Sequence, residues 1–169
     1  VHCYLDHEDH GEMKTEEILG LLDQLAAAGV FFLNVSGGEI FIRPDLFTII
    51  EHARKLQFSV KLKTNGVMIR EAKARRIAAL GVEAVQISLY SHDAATHDKI
   101  TKLPGSFKRT VEGARLLRDA GVKVIFANVL MQQNADHYKQ VQALAAEMGI
   151  RYEVDATITP MMDGDRGIV

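Results

Sequence analysis

The sequence predicts an α/β fold built on a parallel sheet that closes as a barrel or part of one. Three observations carry this. Stretches with apolar residues at helical spacing alternate five times with short apolar runs, which is the pattern of βαβ units. Four helix-to-strand junctions read alike: Ala28-Gly29-Val30, Leu80-Gly81-Val82, Ala120-Gly121-Val122 and Met148-Gly149-Ile150. Each puts glycine where a helix ends in the left-handed region and starts the next strand at once. Finally, no G-x-G-x-x-G and no Walker-type lysine loop supports the doubly wound alternative.

The elements follow in order. Thr15 is the expected N-cap of the first helix, with Glu16 and Glu17 at the positive end of its dipole. Ile18, Leu21, Leu22, Leu25 and Ala26 recur at helical spacing, and Gly29 stops the helix. Val30 to Val35 reads as a strand. Pro44-Asp45 opens a second helix through Phe47, Ile49, Ile50 and Ala53, followed by a strand from Phe58 to Leu62. Arg70 to Leu80 is helical and Val82 to Leu89 a strand. Ser106 to Ala120 and Val122 to Leu130 repeat the unit, as do Ala135 to Met148 and Arg151 to Ile158. The crossovers should be right-handed. Every strand is preceded by a helix, so the first helix expects a strand ahead of it. The expectation is one domain over residues 1–169, incomplete at its N-terminus, with a polar segment from Met161 to Val169 leading away.

Composition narrows the function classes. The chain has 169 residues, 47% hydrophobic and 25% charged, enough for one globular core. A formal charge of -2 argues against a basic face for nucleic acid. No apolar run is long enough to span a membrane, and no signal-peptide layout opens the chain. The one cysteine, Cys3, excludes an intrachain disulfide and suits a reducing cytoplasm, the expected location.

In parallel α/β folds, ligands bind at the carboxyl ends of the strands. Those ends are Ser36-Gly37-Gly38-Glu39, Lys63-Thr64-Asn65-Gly66, Ser88-Leu89-Tyr90-Ser91-His92-Asp93, Leu130-Met131-Gln132-Gln133-Asn134 and Thr157-Ile158-Thr159-Pro160. All are polar or glycine-rich, whereas the junctions at the opposite end are short and plain. That asymmetry marks an active-site face. Gly37 and Gly38 let a ligand approach the backbone, and Glu39 adds a fixed negative charge beside it. Cys3 lies where the loop after an earlier strand would be, among His2, His7 and His10. A zinc site and a Cys–His nucleophile are both conceivable there.

Cys3-Tyr4, Ser36-Gly37-Gly38-Glu39, Thr64-Asn65-Gly66, Ile87-Ser88-Leu89-Tyr90, His97-Asp98 and Pro104-Gly105-Ser106-Phe107 occur in that order along the chain. Together they resemble a radical S-adenosylmethionine enzyme, closest to the branch with a C-terminal SPASM domain that modifies peptides and proteins. The resemblance implies an incomplete (β/α)6 TIM-like barrel, present here as strands two to six, with the auxiliary domain absent. It implies two cofactors, a [4Fe–4S] cluster and S-adenosylmethionine. Their chemistry would be reductive cleavage to a 5′-deoxyadenosyl radical that takes hydrogen from a peptide or protein substrate. An electron donor such as flavodoxin or ferredoxin is implied, and no nucleic acid or membrane partner.

By the same resemblance, Cys3 is the third cysteine of C-x-x-x-C-x-x-C and the cluster ligand, and the other two cysteines would precede residue 1. Gly37, Gly38 and Glu39 would hold the methionine amino group. Ser88 would lie near the ribose or carboxylate, and Thr64 and Asn65 at the neighbouring strand end. Leu130 and Ile158 would flank the adenine, with Tyr4 near it. Where some relatives place an arginine for the methionine carboxylate, this chain has Thr101 and Lys102. Two other readings stay open. One is an iron-free TIM-barrel-like lyase using Lys63 and Glu39. The other is a noncatalytic barrel remnant that acts as a binding module.

Overall fold

The computed structural model describes residues 11–156. Cys3, Tyr4 and Ile158, with His2, His7 and His10, lie outside the described residues.

Helix α1 (Thr15–Ala27) is entered from Lys14 rather than from Thr15. The Lys14 amide donates to Glu17 Oε2 at 2.7 Å. The Thr15 hydroxyl, expected as a cap, instead donates to Asp45 Oδ2 at 2.6 Å and ties α1 to the start of the second helix. Strand β1 (Phe32–Val35) follows, then a 3-10 turn (Ile40–Ile42), α2 (Leu46–Lys55) and β2 (Ser59–Thr64). Next come α3 (Glu71–Ala79) and β3 (Ala84–Ser88). Two helices then lead to the next strand: α4 (Ala94–Thr101) and α5 (Ser106–Asp119), before β4 (Val124–Val129). A 3-10 turn (Ala135–His137), α6 (Tyr138–Glu147) and β5 (Arg151–Asp155) complete the described chain.

The differences from expectation have physical causes. Helix α4 buries only His97 and Ile100, so its apolar period is too sparse to read from sequence. Its start is fixed instead by Asp93, whose Oδ2 accepts from the Thr96 amide at 2.8 Å. Strands β1, β2 and β4 begin later than their apolar runs because the first residue of each of those runs closes the preceding helix. The amides of Val30, Phe58, Val122 and Ile150 donate back to Leu25, Ala53, Leu117 and Ala145, as a Schellman end requires.

The five strands pair in the order β1-β2-β3-β4-β5, all parallel. Alternate residues serve opposite faces. Val60 and Leu62, Val85 and Ile87, Val124 and Phe126 join Ile50, Ile77, Leu117 and Val141 in one core against the helices. The other residues of each strand are Asn34, Lys61, Lys63, Gln86, Ser88, Ala127, Glu153 and Asp155, which registration places on the opposite, inner face. Ala84 and Ile125 close the base of that face as buried apolar residues. Helices on one side only, with strands in sequence order, make the singly wound arrangement of a barrel wall. This matches the expected partial barrel.

The junction after α2 departs from the glycine rule. Gln57 holds φ at 66°, with the same hydrogen bonds that Gly29 and Gly121 make at φ of 81°. A side chain in the left-handed region costs about 1 kcal/mol. Gln57→Gly should therefore raise the unfolding free energy by about 0.5–1 kcal/mol in urea titration. An unchanged or lower midpoint would show that the Gln57 side chain repays its strained backbone through contacts of its own.

Candidate functional site

The ends of β1 and β2 are joined by one carboxylate. Glu39 Oε1 accepts from Thr64 Oγ1 at 2.7 Å and from the Phe41 amide at 3.1 Å, while Oε2 accepts from the Asn65 amide at 2.9 Å. Thr64, only 5% exposed, in turn accepts from the Gly66 amide at 3.1 Å. Gly37 takes φ of 154°, which would strain any other residue, and no described residue lies within 4 Å of where a Cβ on Gly37 or Gly38 would stand. The glycine backbone is thus open to a ligand, and Glu39 holds it in place. Lys73 on α3 sits 4.7 Å from the Phe41 ring; burial lowers its pKa and the Glu39 charge opposes that shift.

Asn65 spends its side chain locally. Its Oδ1 accepts from the Val67 amide at 2.9 Å, an Asx turn, and its carbonyl accepts from Thr110 Oγ1 at 2.8 Å. A Cβ on Gly113 of α5 would stand 2.5 Å from the Gly66 carbonyl oxygen, so α5 packs directly beneath this loop.

Ser88 projects from β3 onto the inner face, half-buried, where it lines a cavity of about 350 Å³. Lys63, Gln86, Asn128, Val129, Glu153 and Asp155 also line it. Glu153 lies at the centre of its polar side. It accepts from Gln86 Nε2 at 3.2 Å and pairs with Lys61 at 4.0 Å and Arg151 at 3.4 Å. Gln86 Oε1 is buried without a hydrogen-bond partner among the described residues. An orphaned acceptor beside a cavity fits a site that receives a donor from a bound molecule. Leu130 is half-buried and lies just beyond the cavity; its amide donates to the Asp155 carbonyl at 2.9 Å.

The remaining polar residues of this rim brace it. Asn128 Nδ2 donates to the Leu89 carbonyl at 2.6 Å, and Asn134 Nδ2 donates to the Tyr90 and Val129 carbonyls at 2.7 and 3.0 Å. Ser91 Oγ meets His137 Nδ1 at 2.6 Å. His97, 1% exposed, accepts from the Tyr90 amide at 3.3 Å and stacks on the Tyr90 ring. Asp98 accepts from the Gly105 amide at 2.5 Å, and from Ser106 Oγ and the Phe107 amide at 2.8 Å each. The His97-Asp98 and Pro104-Gly105-Ser106-Phe107 segments are therefore one structural joint, in which α4 fixes the start of α5.

Sequence reasoning singled out Glu39, Thr64, Asn65 and Ser88, and the structure gathers them along the rim. It missed Gln86, Asn128 and Glu153. Gln86 and Asn128 each interrupt an otherwise apolar strand, which was the available signal. Among the described residues no group of three His, Cys, Asp or Glu could hold a metal ion, and no helix is long and apolar enough to cross a membrane. Glu39 and Lys63, the pair a lyase would need, form no ion pair among the described residues.

Comparison with known proteins agrees with this geometry. A family model described as "Radical SAM superfamily" matches residues 1–145. The mycofactocin maturase MftC of Mycobacterium tuberculosis is 33% identical over 99% of this chain and 42% of its own length. The AdoMet-dependent heme synthase of Methanosarcina barkeri is 32% identical over 85% of this chain and 42% of its own. The PqqA peptide cyclase of Granulibacter bethesdensis is 32% identical over 82% and 37%. The chain thus spans about two fifths of the length of these curated relatives. Streptococcus suis SuiB bound to S-adenosylmethionine shares the fold at a TM-score of 0.82 and 20% identity, covering 97% of this chain and 38% of that one.

Burial pushes the His97 pKa down to about 4, with Asp98 opposing the shift. Below the ordinary histidine range the unfolded chain takes up a proton that the folded chain refuses. Stability should therefore fall as pH drops from about 6.5 towards about 4, by at most ~1.4 kcal/mol per pH unit from this group. Urea titrations across that window should show the loss in the parent chain and a flatter limb in His97→Gln. An equal slope in both would place the proton uptake elsewhere.

Proposed function

The chain belongs to the radical SAM superfamily, and from that premise we propose that it forms the cofactor-binding core of an enzyme that modifies a peptide or protein. The observation that carries this is the Glu39 brace, which holds the Gly37-Gly38 turn to the end of β2, the strand whose Lys63 lines the polar inner-face cavity. The ammonium of the methionine moiety would lie against that backbone and within the field of Glu39. Thr64 holds the Glu39 carboxylate, and Asn65 supplies its amide to it and shapes the turn. Ser88 would offer its hydroxyl to the ribose or carboxylate, and the orphaned Gln86 oxygen accepts a donor from whatever fills the cavity. Leu130 would bound the adenine side. Tyr4, Ile158 and Cys3, outside the described residues, keep their proposed places near the adenine and at the cluster.

A [4Fe–4S] cluster with S-adenosylmethionine supplies reductive cleavage of the cofactor's C–S bond and a carbon radical that abstracts hydrogen. Cys3 is the one thiolate in the sequence, and one thiolate does not hold such a cluster alone. The reading therefore requires two further cysteines ahead of Val1 in the protein. A peptide substrate is supported by the names of the relatives: a peptide cyclase, a maturase, and SuiB seen with its precursor peptide SuiA. The electron donor would be a small protein such as flavodoxin or ferredoxin. Cytoplasmic placement accords with reduced-thiol chemistry.

Two outcomes test this. The protein with its upstream sequence, reconstituted anaerobically with iron and sulfide and given a strong reductant, should convert S-adenosylmethionine to 5′-deoxyadenosine. A cluster-loaded protein that leaves the cofactor intact would overturn the reading. Glu39→Ala strips acceptors from Thr64 and the Phe41 and Asn65 amides, so it should lower stability by about 1–3 kcal/mol. It should also weaken cofactor binding roughly tenfold. Stability falling with binding unchanged would limit Glu39 to a purely structural role.

A further inference from the structure

This inference rests on the reading of the site as one for S-adenosylmethionine. The methionine moiety of that cofactor is a zwitterion, so its site needs a cation as well as the Glu39 carboxylate. Thr101 and Lys102, the positions at which relatives suggest one, do not line the cavity. The Thr101 hydroxyl is engaged with Ser106 Oγ at 2.7 Å and the Asp98 carbonyl at 3.2 Å. Lys102 is the residue at φ of 56° that terminates α4.

Other basic groups near the rim are occupied. Arg70 donates to the Val67 and Ile69 carbonyls at 3.0 and 2.8 Å. Lys61 and Arg151 are paired with Glu153, and Lys73 lies over the Phe41 ring at 4.7 Å. Lys63 remains. Among the described residues it is the one lysine or arginine lining the cavity, and it stands on the same face as Ser88, in register with Gln86. No described residue offers it a hydrogen bond or an ion pair. Its chain neighbours Thr64 and Asn65 are the residues that grip Glu39. Anion and cation are thereby fixed at one strand end, with the lysine turned inward.

We propose that Lys63 pairs with the methionine carboxylate of S-adenosylmethionine. Lysine acts here as a point charge, not as a bidentate fork. Glu39 and Lys63 would divide the two charges of the amino acid between them, which orients the sulfonium with respect to the barrel mouth. The contact needs no change of register, because the side chain already faces the cavity.

The test is equilibrium binding to the cluster-loaded full-length protein under anaerobic conditions, with no turnover. Lys63→Met should weaken S-adenosylmethionine roughly ten- to hundredfold, and Lys63→Arg should restore most of the affinity. Decarboxylated S-adenosylmethionine, which lacks the charge, should bind parent and Lys63→Met alike. Equal affinity of parent and Lys63→Met for S-adenosylmethionine would overturn the proposal and leave the family reading standing. Equal weakening of both ligands in Lys63→Met would also overturn it, by making Lys63 a shape-filling residue. A loaded parent protein that binds neither ligand would remove the cofactor reading and this inference with it.

Discussion

The Glu39 carboxylate is the contact on which the rim of this barrel wall depends. Parallel strands end in backbone groups that the ladder no longer satisfies, and at a ligand site those ends cannot be buried. Here a single side chain from the loop after β1 takes the Thr64 hydroxyl and the Asn65 amide at the end of β2. It also takes the Phe41 amide of its own turn. Charge-assisted bonds of this kind are roughly twice as strong as neutral ones. They leave Gly37 and Gly38 uncovered yet fixed, which no ladder hydrogen bond could do. A carboxylate that reads in sequence as a ligand for an ammonium group is, in the structure, first a brace.

The same division of labour runs along the whole rim. His97 and Asp98 are chemically suggestive in sequence, yet His97 caps the Tyr90 amide and Asp98 fastens the first turn of α5. Asn128 and Asn134 bridge the ends of β3 and β4 through their carbonyls. Polar side chains with high hydrogen-bonding capacity are spent on holding irregular backbone, so the groups turned to the cavity are few. Lys63 and Ser88 are among them. A rigid rim with sparse inward chemistry suits a site whose reactivity comes with its cofactor.

The strands and every helix but α4 were legible in the sequence, because periodicity and glycine punctuation record burial and chain reversal directly. Gly29, Gly81, Gly121 and Gly149 all adopt positive φ at the helix ends. What stayed hidden depended on pairing across the chain. Gln57 reaches the same backbone state with no glycine to announce it. Helix α4 is specified by the Asp93 cap and the Asp98 joint more than by an apolar stripe. Glu153 meets Gln86 only once β5 joins the sheet, 67 residues away in sequence. The strand-end residues could be named from sequence, but whether each faced the ligand or the frame could not.

That distinction explains why the inner face is charged at all. A barrel interior filled with Val and Ile would be more stable than one holding Lys61, Gln86 and Glu153, since partly exposed ion pairs contribute little. The pairs here are loose, at 4.0 and 3.4 Å, and one amide oxygen has no hydrogen-bond partner among the described residues. The apolar alternative is used on the helix-facing side of the same strands, where Val60, Leu62, Val85 and Ile87 pack tightly, and at the base, where Ala84 and Ile125 close the interior. Polar residues stand in the same rows as these two, Lys61 in register with Ala84 and Gln86 with Ile125. Loose polar pairing beside buried apolar residues is what an interior looks like when further hydrogen bonds come from a ligand.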